Sequence, residues 1–231
     1  MNTISTRLQQ VLTQIDNAAS ASFKKSSEIS LLAVSKTKPV EQVKAVYALG
    51  QRKFGENYLQ EAIDKITHLQ QDGCYPDIEW HFIGPIQSNK TRPIAEHFDW
   101  VQSIERLKIA QRLNDQRPSS MPKLNVCIQV NISAEATKSG TDLAQARALA
   151  EQISSLPNLV LRGIMAIPEK TNDLTRLKSQ FSQLESLYLS LQDQYNQIDT
   201  LSMGMTNDMD IAITQGSNMV RVGTAIFGAR D

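Results

Sequence analysis

Ile29-Ser30-Leu31-Leu32-Ala33-Val34 is a short, nearly continuous apolar run, followed by Ser35-Lys36-Thr37-Lys38 and then Pro39. A strand that is apolar on both alternating faces must be covered on both sides, as in a parallel sheet. Pro39 can open a helix, because the N–H it lacks has no intrahelical partner there. Gly50 closes the helical segment that runs to about Leu49. The unit is strand, polar loop, helix, with Lys36 at the strand's carboxyl end.

The same alternation extends in both directions. Upstream, Ile4, Leu8, Val11, Leu12 and Ile15 recur at helical spacing within 4–21. Downstream, predicted strands at 52–54, 78–83, 100–103, 124–132, 159–166, 200–203 and 218–222 alternate with helical stretches at 56–69, 90–97, 105–114, 142–154, 174–195 and 209–213. Strands separated by helices imply parallel βαβ units. The 231 residues spread over eight strands give about 29 per unit, the size of a compact βα repeat. The expectation is a single α/β domain over 1–231, an eight-stranded parallel β/α (TIM) barrel preceded by an N-terminal helix. An open doubly wound sheet ranks below it, because no Gly-x-Gly-x-x-Gly follows the first strand.

Composition excludes several classes of function. Lys and Arg total 24 against 24 Asp and Glu, and a net charge of zero disfavours broad binding to nucleic acid or an anionic membrane. Two cysteines, Cys74 and Cys127, cannot build a disulfide scaffold, and the absence of His-x-x-x-His or Cys-x-x-Cys disfavours a zinc site. No apolar run approaches the roughly 20 residues that span a bilayer, and 1–22 is polar where a signal peptide would be apolar. The expectation is a soluble cytoplasmic protein.

In a parallel barrel the functional face lies at the carboxyl ends of the strands. Lys36 sits there, and a lysine partly removed from water can serve as a nucleophilic amine toward an aldehyde. Taken alone, it reads as a lysine that snorkels to solvent. Barrels often bind phosphate in the loops after strands seven and eight. Strand seven is followed by Ser202-Met203-Gly204-Met205-Thr206-Asn207-Asp208. Strand eight runs into Arg221-Val222-Gly223-Thr224-Ala225-Ile226-Phe227-Gly228. Both loops combine glycine with hydroxyl donors, and the second carries an arginine. Each alone reads as ordinary turn residues. Together with a strand-end lysine they point to a ligand bearing an aldehyde and a phosphate, of which pyridoxal 5'-phosphate is the common one.

Other strand ends are less informative. Asn57, in Phe54-Gly55-Glu56-Asn57-Tyr58, could bond a ring substituent or simply open a helix. His81 reads as a packed, hydrogen-bonded core histidine. Met165 and Met203 read as core, and Asn131, Ser133 and Lys138 as a solvated loop.

Leu31 to Thr37, Phe54 to Tyr58, Trp80 to Lys90, Ser202 to Thr206 and Arg221 to Gly228 resemble the pyridoxal phosphate homeostasis protein family over nearly the whole chain. The resemblance implies a fold-type III barrel like the N-terminal domain of alanine racemase, with pyridoxal phosphate bound covalently through Lys36. It implies phosphate contacts at Thr206, Gly223 and Thr224, with Ser202 nearby. It also implies that Arg221 faces either the pyridine nitrogen or the phosphate. The family is thought to carry, buffer and deliver the cofactor, so apo-enzymes are the implied recipients.

Residue chemistry bears on carrier against enzyme. Arginine stays charged and is a weak partner for a pyridine nitrogen acting in an electron sink, although racemases tolerate it. Racemisation also needs an acid/base on the opposite substrate face. In the racemase a tyrosine of an additional domain supplies it, and the chain here ends soon after Phe227. Tyr47, Tyr75, Tyr188 and Tyr195 are placed away from the active face, which leaves only Tyr58 near a βα loop. The expectation is a monomeric, non-catalytic cofactor carrier. An amino-acid racemase is the alternative, and a protein-interacting barrel with a vestigial site is a third.

Overall fold

The computed structural model describes residues 3–133, 139–169 and 171–229. Its strands form in chain order as β1 (Ser30–Val34), β2 (Lys53–Glu56), β3 (Glu79–Phe82), β4 (Trp100–Ile104), β5 (Leu124–Val130), β6 (Leu159–Ala166), β7 (Thr200–Ser202) and β8 (Met219–Val222). Each pairs parallel with the next, and β8 pairs with β1, so the sheet closes. This is the expected barrel.

The helices are α1 (Ile4–Ala21), α2 (Val40–Ala48), α3 (Leu59–Asp72), α4 (Thr91–His97), α5 (Leu107–Gln116), α6 (Leu143–Ser154), α7 (Leu174–Gln192), α8 (Met209–Thr214) and α9 (Thr224–Phe227). Side-chain caps set several starts. Thr3 accepts from Thr6 N–H, Asp142 from Gln145 N–H, and Asp173 from Thr175 and Arg176 N–H. Gly50, at φ +99°, ends the α2 segment as expected.

Three differences from the sequence reading have physical causes. Glu56 belongs to β2, not to a helix, because its carboxylate is buried among hydrogen-bond partners instead of facing solvent. The α7 helix stops at Gln192, which leaves Tyr195 in the following turn. The α9 turn after β8 was not foreseen, since four residues are too few to show a helical period.

Alternation across each strand divides two environments. On β3, Trp80 and Phe82 join the apolar layer between sheet and helices, while His81 stacks on Trp100 of β4 at 5.0 Å. On β8, Val220 and Val222 join that layer, while Arg221 is buried beside Ser202 of β7. The outer layer is aliphatic and aromatic, and each large side chain buried there contributes about 1.5–3 kcal/mol. The barrel interior holds a small apolar group of Trp100, Cys127 and Met165 together with polar side chains. The α1 helix buries Leu8, Val11 and Ile15 and packs on α8 and α9, where Arg7 Nε donates to Ile226 O at 2.7 Å. The amino-terminal helix thereby fixes the turn that follows β8.

Candidate functional site

Lys36 lies in the turn just past β1 and is half-buried. The next residue, Thr37, has φ +63°, an uncommon conformation for a β-branched residue that persists only when surrounding bonds impose it. Those bonds are present. Thr37 N–H donates to Glu61 Oε1 at 2.6 Å, and Ser35 Oγ donates to Glu56 Oε1 at 2.6 Å. Lys65 Nζ donates to Ser35 O at 2.8 Å, to Glu56 Oε1 at 2.9 Å and to Glu61 Oε1 at 2.6 Å. Backbone on both sides of Lys36 is thus held by an ion network between β2 and α3. Burial pushes the Glu56 carboxyl up, and the Lys65 charge with the Ser35 and Lys65 hydrogen bonds pulls it partly back. Sequence reading missed this network. Lys65, Glu61 and Glu56 carry no motif, and only their i, i+4 and i, i+9 spacing across the β2–α3 loop relates them.

A small cavity of about 40 Å³ brings the two halves of the predicted site together. Lys36, Thr37 and Lys38 line one side, and Gly223, Thr224 and Gly228 line the other. A Cβ at Gly223 would stand 3.1 Å from Val34 O, tighter than an ordinary contact, so β1 and the β8–α9 turn approach closely there. Lys38 Nζ reaches Ala229 O at 2.5 Å and ties the same two segments.

Arg221 lies below this rim, within β8, and is buried. Its Nη1 donates to Ser202 O at 2.7 Å and to Ser202 Oγ at 2.8 Å, and its Nη2 to Ala166 O at 2.8 Å. Desolvation lowers its pKa to about 10 against the opposing pull of Asp208, so the guanidinium is still charged at neutral pH. Ser202, fully buried, passes its own hydroxyl hydrogen to Gln102 Oε1 at 2.7 Å.

Two further predicted residues occupy neighbouring loops and do not line the cavity between Lys36 and Gly223. Asn57 follows β2, and its Oδ1 is buried without a hydrogen-bond partner among the described residues. Its backbone is wedged against Gly84, where a Cβ would meet Asn57 O at 2.4 Å. Thr206 is half-buried in the β7–α8 turn, where Asp208 Oδ1 accepts from Met205 N–H at 2.6 Å.

The remaining expectations can be placed. His81 is buried, with Nε2 2.9 Å from Glu79 Oε1 and Nδ1 2.9 Å from Gln102 Nε2, as a satisfied core histidine should be. Met165 and Met203 are core residues. Lys138 lies outside the described residues. Tyr47 donates to Asp77, and Tyr58 is exposed beside Asn57. Cys74 and Cys127 are free, and burial pushes the Cys127 thiol far up. Among the described residues no group of His, Cys, Asp and Glu could hold a metal, and no helix is long and apolar enough to cross a membrane.

A closed β/α barrel with a lysine after its first strand and a glycine–threonine turn after its last defines a class of protein. Residues 8–231 match the family described as alanine racemase, N-terminal domain. Proteins named pyridoxal phosphate homeostasis protein are similar along the full chain. That of Vibrio alginolyticus is 54% identical, covering 100% of this chain and 99% of its own. That of Escherichia coli K12 is 53% identical, covering 100% and 98%. The chain therefore belongs to the pyridoxal phosphate homeostasis protein family, within the alanine racemase N-terminal domain class. PipY of Synechococcus elongatus, solved without PLP, superposes with a TM-score of 0.85 at 35% identity over 98% of this chain and 100% of that one. PipY with PLP bound gives a TM-score of 0.82 at 34% identity over the same shares. Alanine racemase of Corynebacterium glutamicum shares the fold, with a TM-score of 0.69 at 16% identity over 98% of this chain and 60% of its own.

Proposed function

We propose that this protein binds pyridoxal 5'-phosphate at the carboxyl-end mouth of its barrel. It holds the cofactor as a Schiff base on Lys36 and buffers or delivers it without turnover of its own. The meeting of Lys36 with Gly223 and Thr224 around one cavity carries this reading. The names of the full-length relatives and the PLP-bound PipY structure support it.

The residues fit the group. When bound, it supplies an aldehyde that condenses with a lysine amine and a phosphate that anchors it. Lys36 offers the amine on a turn held by the Lys65 network. Gly223 and Thr224 line the cavity and offer it backbone N–H and a hydroxyl. Thr206 adds a hydroxyl from the β7–α8 turn. The partnerless Oδ1 of Asn57 offers an acceptor for a ring hydroxyl. Arg221, held within the barrel by Ser202 and Ala166 instead of in the loop, is assigned to the ring and not to the phosphate. Being charged at neutral pH, it gives little proton to a ring nitrogen, which favours holding the cofactor over carbanion chemistry. The reading includes a monomer in the cytoplasm, with apo-enzymes as recipients.

Purified protein should absorb as a lysine-bound pyridoxal, and borohydride followed by peptide mapping should place the reduced adduct on Lys36. An adduct confined to another lysine would overturn the assignment. Incubation with single L-amino acids tests the racemase alternative. Sustained D-isomer formation that disappears in Lys36→Ala would replace the carrier reading.

A further inference from the structure

Inside the barrel, five side chains from four strands join end to end. Arg221 Nη1 reaches Ser202 Oγ at 2.8 Å, and Ser202 Oγ reaches Gln102 Oε1 at 2.7 Å. Gln102 Nε2 reaches His81 Nδ1 at 2.9 Å, and His81 Nε2 reaches Glu79 Oε1 at 2.9 Å. The first four are buried, and Glu79 is half-buried where β3 begins.

Both ends impose the same direction on this chain. A carboxylate only accepts, so His81 must carry its proton on Nε2, which leaves Nδ1 as an acceptor. Nδ1 then needs the NH2 of Gln102, which turns Oε1 toward Ser202. From the other end, a guanidinium only donates, so the Ser202 oxygen accepts from Arg221 and its hydrogen goes to Gln102 Oε1. The opposite orientation of the Gln102 amide would set the bare Nε2 of His81 against the Glu79 carboxylate. Such buried chains are either fully satisfied or destabilising, and a fully satisfied one permits a single arrangement of its members.

We propose that Gln102, His81 and Glu79 are positioning residues for the cofactor site, forming a one-directional hydrogen-bond chain that fixes Ser202 and, through it, how the Arg221 guanidinium faces the bound group. The proposal rests on the pyridoxal phosphate reading above. One arm of its test therefore uses protein without cofactor.

In that arm, histidine-15N NMR of the cofactor-free protein, with His81 assigned by loss of its signals in His81→Phe, should show a neutral ring protonated on Nε2. An Nδ1–H tautomer would overturn the chain. Gln102→Glu sharpens the test, because a carboxylate at 102 cannot donate to Nδ1. Apart from residue 102, the charged groups acting on His81 are Glu79 and Lys53. With Glu79 on one nitrogen and a carboxylate on the other, both ring nitrogens should become protonated near neutral pH. An unchanged ring would sink the proposal, and this variant also covers the case in which Gln102→Met fails to fold.

The second arm measures cofactor affinity. Gln102→Met should raise the pyridoxal phosphate dissociation constant roughly tenfold. In a Ser202→Ala background the same substitution should add nothing, since Ser202 is the link to Arg221. Losses that add in full, or an unchanged affinity, would assign Gln102 to packing alone. Wild-type protein that takes up no pyridoxal phosphate would remove the functional reading, while the NMR arm still decides whether the chain exists.

Discussion

Lys65 carries an ammonium into a place that is 7% exposed, and it stays there because three oxygens, from Ser35 just after β1, from β2 and from α3, surround it. Removing one partner of a buried ion pair leaves the other charge desolvated, an effect of about 3–5 kcal/mol. Lys65→Met should destabilise the protein by about that amount in urea unfolding. Adding Glu56→Gln should recover part of the loss, because the orphaned charge is then gone. Equal losses in the single and double variants would show that the charge is not what matters. Below the rim, Arg221→Ala should weaken cofactor retention more than Asn57→Ala. A charged group with several donors contributes more than one amide contact, whose net value is about 1 kcal/mol. Equal dissociation constants by fluorescence titration would count against the placement of Arg221.

At the scale of elements, the loops after β1, β2 and β8 are placed by contacts that leave little slack. The β2–α3 loop is the tightest, since Gly84 has no room for a Cβ against Asn57 O. Gly84→Ala should lower stability by about 1–3 kcal/mol through overpacking, and it should also weaken cofactor retention by moving Asn57. Thermal denaturation and titration check the two parts separately, and full retention in a destabilised variant would remove Asn57 from the site. Elements with uniform composition were legible in the sequence. Leu124–Val130 is apolar and β-branched enough to be read directly as β5, although its end was overrun by two residues. Glu56 is not legible as a strand residue, because a carboxylate inside a strand contradicts local pattern and is held there by Ser35 and by a lysine nine residues on. Gln102 is not legible, because nothing local marks one glutamine in a short strand, and its hydrogen bonds exist only once β3, β4 and β7 are brought together in the barrel. Lys36 and the 223–224 turn were legible because barrel topology itself dictates where strand ends meet.

For the whole molecule, the polar interior makes stability depend on acid. Burial keeps His81 neutral in the folded state, below its ordinary value near 6.5, although Glu79 pulls the other way. Burial alone would raise the Glu79 carboxyl, yet the hydrogen bond from His81 together with Lys53 holds it below the usual carboxylate range. Both groups bind fewer protons folded than unfolded, so their contribution is complete above about pH 6.5 and is lost as the pH falls. His81 accounts for the upper part of that window and Glu79 for the part below about pH 4.5. Glu56 acts in the opposite sense. Its raised pKa means that its contribution is lost as pH rises through the folded value, and Asp99 and Asp208, whose carboxyls burial also raises, act in the same sense, so the three offset the slope due to His81. One buried histidine is worth at most about 1.4 kcal/mol per pH unit. The His81 contribution should therefore lower the melting temperature from pH 7 to pH 5. His81→Phe, though less stable throughout, should show a flatter decline over the same range, because the residue that gains a proton on unfolding has been removed. Parallel curves for the two proteins would mean that His81 is not held neutral, and the direction of the hydrogen-bond chain to Arg221 would fall with it.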